Sequence, residues 1–305
     1  MATVNKRSKL ILSNVINGVT AGGATTARID AGYDEIVKST PDGLQIPFVE
    51  RATQFVRGSQ TWECWAEMIN LLNGTVGTNV FYERKSGVAA ATGYIKHQLN
   101  APVIHRASLS QSQGQYMTAS AEFECRFASE TAVISDAWAM TDSQAAPTFN
   151  AAARGGWRII SAAFTPSGGS AINLYHLRSF NFSLAIALAK ASNDSDKGYT
   201  AVDADLEAGI DASGSLTLED STITSTVILA ATLLLAARGT LVLTVQQGAG
   251  GANKTITING VQFGTGGRSL DAGKAFNDGS ISFSVTNNST TPLTLAGANK
   301  IIAFA

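Results

Sequence analysis

Apolar and polar positions alternate with a period of two over much of this chain, most regularly across residues 114–127. There Met117, Ala119, Ala121, Phe123, Cys125 and Phe127 fall on one side, and Thr118, Ser120, Glu122, Glu124 and Arg126 on the other. Successive side chains of a strand point to opposite faces, so this is the pattern of a strand with one face buried. The same reasoning predicts strands at 9–15, 79–84, 93–99, 177–188, 241–246, 254–258 and 279–287, and an extra one in the last residues, 299–305, while 199–218 parallels the looser arm of the first half. Residues 27–61 alternate more loosely around Pro41-Asp42-Gly43, which predicts a hairpin or a long arm. Two segments depart from period two. Residues 64–73 and 222–238 read as apolar helices, stopped by Asn73-Gly74 and Arg238-Gly239. Glycine just past a helix takes the left-handed conformation without a Cβ penalty, and Asp220 or Ser221 can cap the second helix at its start.

The order of these parts repeats. In each half a Gly-Ser pair (Gly58-Ser59, Gly214-Ser215) leads to the helix, then to a strand and a glycine turn, and a long alternating strand ends the series. The predicted fold is therefore mainly β (α+β), two tandem similar modules of sandwich or barrel type with one principal helix each. The modules span 1–135 and 171–305. Residues 136–170 are predicted to be a packed connector, because Trp138 and Trp157 make it too apolar for a free linker. A repeat this long is a duplicated domain and not a solenoid unit.

Composition narrows the function. Of 305 residues, 45% are hydrophobic and only 15% charged, against about a quarter charged in ordinary proteins. Ala, Ser, Thr and 29 Gly take the place of the charge, which favours flat sheet surfaces facing other sheets or subunits. The net charge is −1 and hides no basic half: 12 Lys plus Arg stand against 13 acids up to Asp142, and 10 against 10 beyond it. Tight nucleic-acid binding needs a basic face, so none is expected. No targeting segment is expected from 1–18, and 226–245 is read as helix, stop and strand instead of a membrane span, because Arg238-Gly239 interrupts it. Cys64 and Cys125 are too few for a disulfide framework and are read as buried thiols, a bridge between them staying possible.

Chemical motifs fall away one by one. In 248–255, GAGGANKT, Asn253 stands where a phosphate loop needs glycine and no helix follows, so a hairpin turn is expected. Gly264, Gly266 and Gly267 miss the dinucleotide spacing. Residues 193–198 hint at a calcium loop but lack its twelfth-position glutamate; Asp194, Asp196, Asp203 and Asp205 are read as a solvated turn. His97, His105 and His176 are scattered, and Glu122 and Glu124 share a polar strand face, which is read as a subunit contact before a catalytic pair. No enzyme, no cofactor, no metal site and no catalytic residue are expected.

The arrangement resembles the tail tube proteins of long-tailed bacteriophages. The residues that carry the likeness are Gly58-Ser59, 79–84, 93–99 and 114–127 in the first half, and Gly214-Ser215, 240–245, 254–258 and 279–285 in the second. Such proteins form six-fold rings that stack into a tube conducting DNA. For a doubled chain the resemblance implies trimeric rings with pseudo-six-fold symmetry. It further implies arms at 31–48 and 191–209 that touch the next ring, through Tyr33, Glu35, Lys38, Asp42, Leu44, Lys197, Tyr199 and Asp203. Glu122, Glu124, Ser282 and Ser284 would lie at sheet contacts between subunits. The implied partners are further copies of the chain, other virion tail proteins and DNA in passage, without specific binding. The implied location is the virion tail, after synthesis in the host bacterial cytoplasm. Three alternatives stay open: a tail terminator or baseplate part, a β-sandwich surface binding protein, and a hydrolase on a β scaffold.

Overall fold

The computed structural model describes residues 7–16, 19–21, 24–38, 48–62, 77–85, 89, 91–127, 132–148, 156–174, 176–192, 199–220, 233–248, 251–269, 277–287, 293–294 and 299–305. The chain is mainly β. In the first half the strands are β1 (Arg7–Ile16), β2 (Val19–Ala21), β3 (Ala24–Lys38), β4 (Phe48–Trp62), β5 (Thr78–Lys85), β6 (Tyr94–Asn100), β7 (Pro102–Ser112), β8 (Thr118–Cys125) and β9 (Trp138–Gln144). One helical turn, α1 (Ile134–Ala137), precedes β9. The second half holds β10 (Trp157–Pro166), β11 (Ile172–Leu174), β12 (Leu177–Ser192), β13 (Tyr199–Asp220), β14 (Gly239–Gln247), β15 (Asn253–Ser269), β16 (Asn277–Val285) and β17 (Ile302–Phe304).

Among the described residues these strands form two antiparallel sheets. The smaller runs β2-β1-β5-β6-β9, and the larger runs β11-β10-β14-β15-β16-β13-β12-β7-β8-β4-β3, with β17 attached to β15. The pairings of the first half recur in the second, register for register. Asn14 lies opposite Ala21 and Phe81, as Ala162 lies opposite Leu174 and Leu243. Thr78 faces Asn100 as Thr240 faces Asn259. Arg28 faces Ser59 as Asn181 faces Ser215, and Gly58 faces Phe123 as Gly214 faces Phe283. Leu99 faces Trp138 as Ile258 faces Ile302, so the C-terminal strand is not an extra: it sits where β9 sits.

One long strand, β15, takes the place of both β6 and β7. Between β6 and β7 the chain turns at Ala101, φ 46°, whose carbonyl accepts from the Arg126 N–H at 3.0 Å. At the matching point β15 carries Gly260, φ 73°, whose carbonyl accepts from the Thr286 N–H at 2.8 Å. Past that point both strands bulge, after Ile104 opposite Phe123 and after Phe263 opposite Phe283.

Burial follows the alternation. Phe180, Phe182, Leu184 and Ile186 of β12 are buried while Asn181 and Ser183 between them are exposed. Met117, Ala119, Ala121, Phe123, Cys125 and Phe127 are all buried on one face, as their spacing predicts, but β8 itself begins only at Thr118. The two halves share a core: Trp62, Leu109 and Met117 belong to the same apolar cluster as Phe180, Phe182, Leu243 and Phe283. A second cluster around Val56, Phe81, Leu99, Phe123 and Phe127 lies within the first half.

Two sequence expectations about the modules need correction. The halves are not separately closed sandwiches, because β7 pairs with β12 and runs the larger sheet through both. Residues 136–170 do not form a connector. β9 adds to the smaller sheet, β10 and β11 edge the larger one, and the second set of pairings opens at Trp157, not at residue 171. The run of glycines at 264–267 is strand, held by β16. Of the predicted helices, 64–73 lies outside the described residues, and 222–238 is described only from Leu233, where one turn is helical through Leu235. The hairpin turn expected at 248–255 agrees with the pairing of β14 and β15, through Gln246 opposite Asn253.

Candidate assembly surfaces

The larger sheet ends at one side in β3, which pairs with β4 alone among the described strands, and at the other in the short β11. A further exposed edge is less obvious. The outer half of β15, from Gly264 to Ser269, pairs with β16 on one side and with no described strand on the other, since β14 and β17 both attach to its first half. These two edges match the two sides of a contact inside the chain. β7 is the counterpart of outer β15, β12 is the counterpart of β3, and β7 and β12 are paired, from Arg106 opposite Ala185 to Ser112 opposite Ser179. Among the described strands the chain thus contains one made seam and two further edges that match its two sides.

The uncovered face of this sheet is carpeted with hydroxyls. Ser108 and Ser120 are hydrogen-bonded at 2.7 Å, Ser110 and Thr118 at 2.9 Å, and Ser183 and Ser213 at 3.4 Å. Cross-strand hydroxyl pairs of this kind each add a few tenths of a kcal/mol, roughly, and rigidify the face. Ser282 continues the carpet, accepting from the Thr265 N–H and donating to the Thr265 carbonyl at 3.1 Å each. Ser284 lies between Ser213 and Gln262. Both serines, and Glu122 and Glu124, stand on strands paired on both sides, so they meet a neighbour only through this face and not by strand pairing.

Charge on the face lies at the β3 edge, where Arg28 pairs with Asp30 and Arg57 with Asp34, and around Glu122 and Glu124 on β8. The Glu122 carboxylate lies 3.6 Å from His105 Nε2 and 3.7 Å from the Arg106 guanidinium. Glu124 is buried, and both its oxygens accept from Lys190 Nζ at 2.7 Å. That pair ties β8 of the first half to β12 of the second across the seam. Burial pulls the pKa of His105 below its usual range, against the opposing pull of Glu122 and Glu124. Cys125, a free thiol, is pushed up to about 12 by burial and then by Glu124. Cys64 lies outside the described residues.

The predicted arms are hairpins. β3 and β4 pair out to Lys38 opposite Phe48, and β12 and β13 out to Ser192 opposite Tyr199. Each is broken at the same point, after Tyr33 opposite Gln54 in one and after Ile186 opposite Ile210 in the other. Tyr33 and Glu35 are exposed on β3, Lys38 closes its pairing, and Tyr199 and Asp203 pair with Ser192 and Ala189. Asp42, Leu44 and Lys197 lie outside the described residues, as do Asp194 and Asp196.

One cleft, of about 520 Å³, opens between β3 and the smaller sheet. Ala27 and Ile29 line one side, and Phe81, Glu83, His97 and Trp138 the other. The rings of Phe81 and His97 stack at 4.9 Å between centroids, and those of His97 and Trp138 at 6.2 Å. The Glu83 carboxylate approaches His97 Nε2 to 3.5 Å, and the Trp138 Nε1–H is buried without an acceptor. Sequence reading passed over Glu83 and Lys190, and took Trp138 only as part of a packed connector. Lys190, a lone cation in an alanine-rich strand, was the one visible signal among them.

Among the described residues no group of three or more His, Cys, Asp or Glu converges as metal ligands, and no helix is long and apolar enough to cross a membrane. His97 and His105 stand apart, in the cleft and at the seam. No protein-family model matches the sequence, and no curated protein matches it.

Proposed function

We propose that the chain is a virion structural protein that assembles with copies of itself into rings, which stack into a phage tail tube and let DNA pass. The carrying observation is the β7–β12 seam together with its two counterparts, outer β15 and β3, each paired on one side only among the described strands. Exposed strand edges invite pairing with another chain, and a monomer ordinarily blunts them. Here each edge has a mate of known register on every other copy, and a heterologous contact of this kind closes into a ring when its rotation permits. Three chains supply six such half-units, the pseudo-six-fold ring that the resemblance to tail tube proteins implies. A terminator or baseplate part would use the same edges without extended stacking.

The hydroxyl face supports the conduit role. It is polar enough to stay wet, and the cations described on it, Arg28, Arg57, Arg106 and Lys190, face carboxylates. DNA gripped by many Lys and Arg would be retained strongly and in a salt-dependent way, whereas a near-neutral wall lets it slide. The two hairpins project past matching breaks and are the natural contacts to the next ring.

Electron microscopy of the purified chain tests this reading. Rings with pseudo-six-fold symmetry, stacking into tubes as concentration rises, are expected. A chain that stays monomeric at high concentration by sedimentation rejects it.

A further inference from the structure

Resting on the ring assembly above, we infer that Tyr33 of one copy lies across the glycine edge of the next, over Gly266 and against Leu234, and closes the apolar side of the contact between copies. The register comes from the seam inside the chain. There Ala107 lies opposite Leu184 and Ser108 opposite Ser183. The counterpart of Ala107 is Gly266, since Ala107 pairs with Ala121 and Gly266 with Ile281, each two residues before the matched Phe123 and Phe283. The counterpart of Leu184 is Ala31, three residues past the matched Asn181 and Arg28. Pairing of outer β15 with β3 in the seam's register therefore sets Gly266 opposite Ala31 and Gly267 opposite Asp30. Side chains two positions apart on a strand share a face, so Tyr33 stands diagonal to Gly266, within reach of an aromatic ring.

The made seam shows what this position becomes when it is covered. Ile186 there holds the place of Tyr33, each the last paired residue before its hairpin breaks, and Ile186, Ala107 and Leu184 are all 6% exposed or less. Tyr33 is 39% exposed, and at the other edge Leu234 is 36% exposed. Leu234 lies on the matching side of β15: its Cδ1 is 3.4 Å from where a Gly266 Cβ would stand. Two large apolar groups are thus open to water at the places that pairing would bring together. The glycines fit the same contact. Among the described residues, no positive φ at 264, 266 or 267 demands glycine, and a Cβ at Gly264 or Gly267 would meet nothing closer than 3.9 Å. Glycine inside a strand gives up packing of its own and marks the close approach of another group. An aromatic ring from a neighbouring strand covers such an edge glycine and restores the lost burial.

The test uses the full chain and reads the concentration at which rings dissociate, together with disulfide trapping across the contact. Tyr33→Ser is expected to raise that concentration roughly tenfold or more, the usual scale for truncating an aromatic anchor at an interface. Tyr33→Phe should stay within a few-fold of native, and the dissociated Tyr33→Ser chain should melt as the native one does. For the register, Asp30→Cys is combined with Gly267→Cys. Residues opposite each other on antiparallel strands stand about 4.5–5.5 Å apart between Cα atoms, within disulfide reach. Under mild oxidation this variant should give covalently linked chains on a non-reducing gel, and Asp30→Cys with Thr265→Cys, shifted by two residues, should not. Rings that dissociate at the native concentration despite Tyr33→Ser overturn this contact and leave ring assembly standing. So do rings in which the shifted pair links in place of the matched one. A native chain that never forms rings overturns both.

Discussion

At the scale of single residues, the buried side chains that titrate set the chemistry of the fold. Cys125 carries a thiol raised from 9.0 to about 12, because burial and the nearby Glu124 both disfavour the thiolate. Between those values the folded chain holds a proton that the unfolded chain has lost. This part of the stability is complete below about pH 9 and falls away as the pH rises towards 12. Alkylation at pH 8.5 followed by peptide mass analysis should leave Cys125 unmodified in the folded protein and label it fully in denaturant. The Lys190–Glu124 pair gives the second expectation. Lys190→Met strands a carboxylate that is only 5% exposed. It should cost about 3 kcal/mol in chemical denaturation, with Glu124→Gln added on top recovering much of the loss. The lysine is partly open to solvent, so the lower end of the range for buried pairs applies.

At the scale of elements, matched strands solve the same geometric problem with different residues. Ala101 and Gly260 both adopt the left-handed conformation where the inner strand turns into the larger sheet. An L side chain there costs about 1 kcal/mol or more. Ala101→Gly should therefore stabilise the chain by about 1 kcal/mol, partly offset by the greater freedom of an unfolded glycine. Gly260→Ala should destabilise it by more, because a Cβ would come within 2.5 Å of Leu293 and 2.6 Å of the Thr286 carbonyl. Paired thermal melts decide both.

These elements also mark how far the sequence could be read. The Gly-Ser pairs stood out for a physical reason. A Cβ at Gly58 would sit 2.1 Å from the Arg28 carbonyl oxygen, and one at Gly214 2.3 Å from the Asn181 carbonyl oxygen, so only glycine fits opposite Phe123 and Phe283. β8 was legible because it alternates without a break. β7 was not, because the bulge past Ile104 shifts its apolar positions to Ala107 and Leu109 and spoils the period. Outer β15 was hidden beneath Gly264, Gly266 and Gly267, which look like a turn until β16 is laid beside them. The cleft could not be foreseen at all. It exists because Ala27 and Ile29 stand where the other half has Phe180 and Phe182, and only the strand register makes those positions equivalent.

At the scale of the whole molecule, the sheet edges and the hairpins have separable roles on the proposed reading. Replacing residues 35–51 by a tight turn removes the first hairpin beyond its break at Tyr33 and leaves the pairing of Ala24 to Gly32 with Phe55 to Trp62 intact. Rings should still form at the native concentration, while micrographs should show single rings and no tubes. Tubes of native length would reassign the stacking contact to another surface.

The β7–β12 seam has a last consequence. Its seven backbone pairs and the core beneath it join the halves without help from the covalent chain, which merely bridges them between Gln144 and Gly156. Severing the polypeptide within that bridge should yield two fragments that recombine when expressed together. Each would see in the other the same docking edge it offers to every further fragment. Subunit boundaries in such an assembly would then be an accident of where the gene stops, with six short chains able to do the work of three long ones.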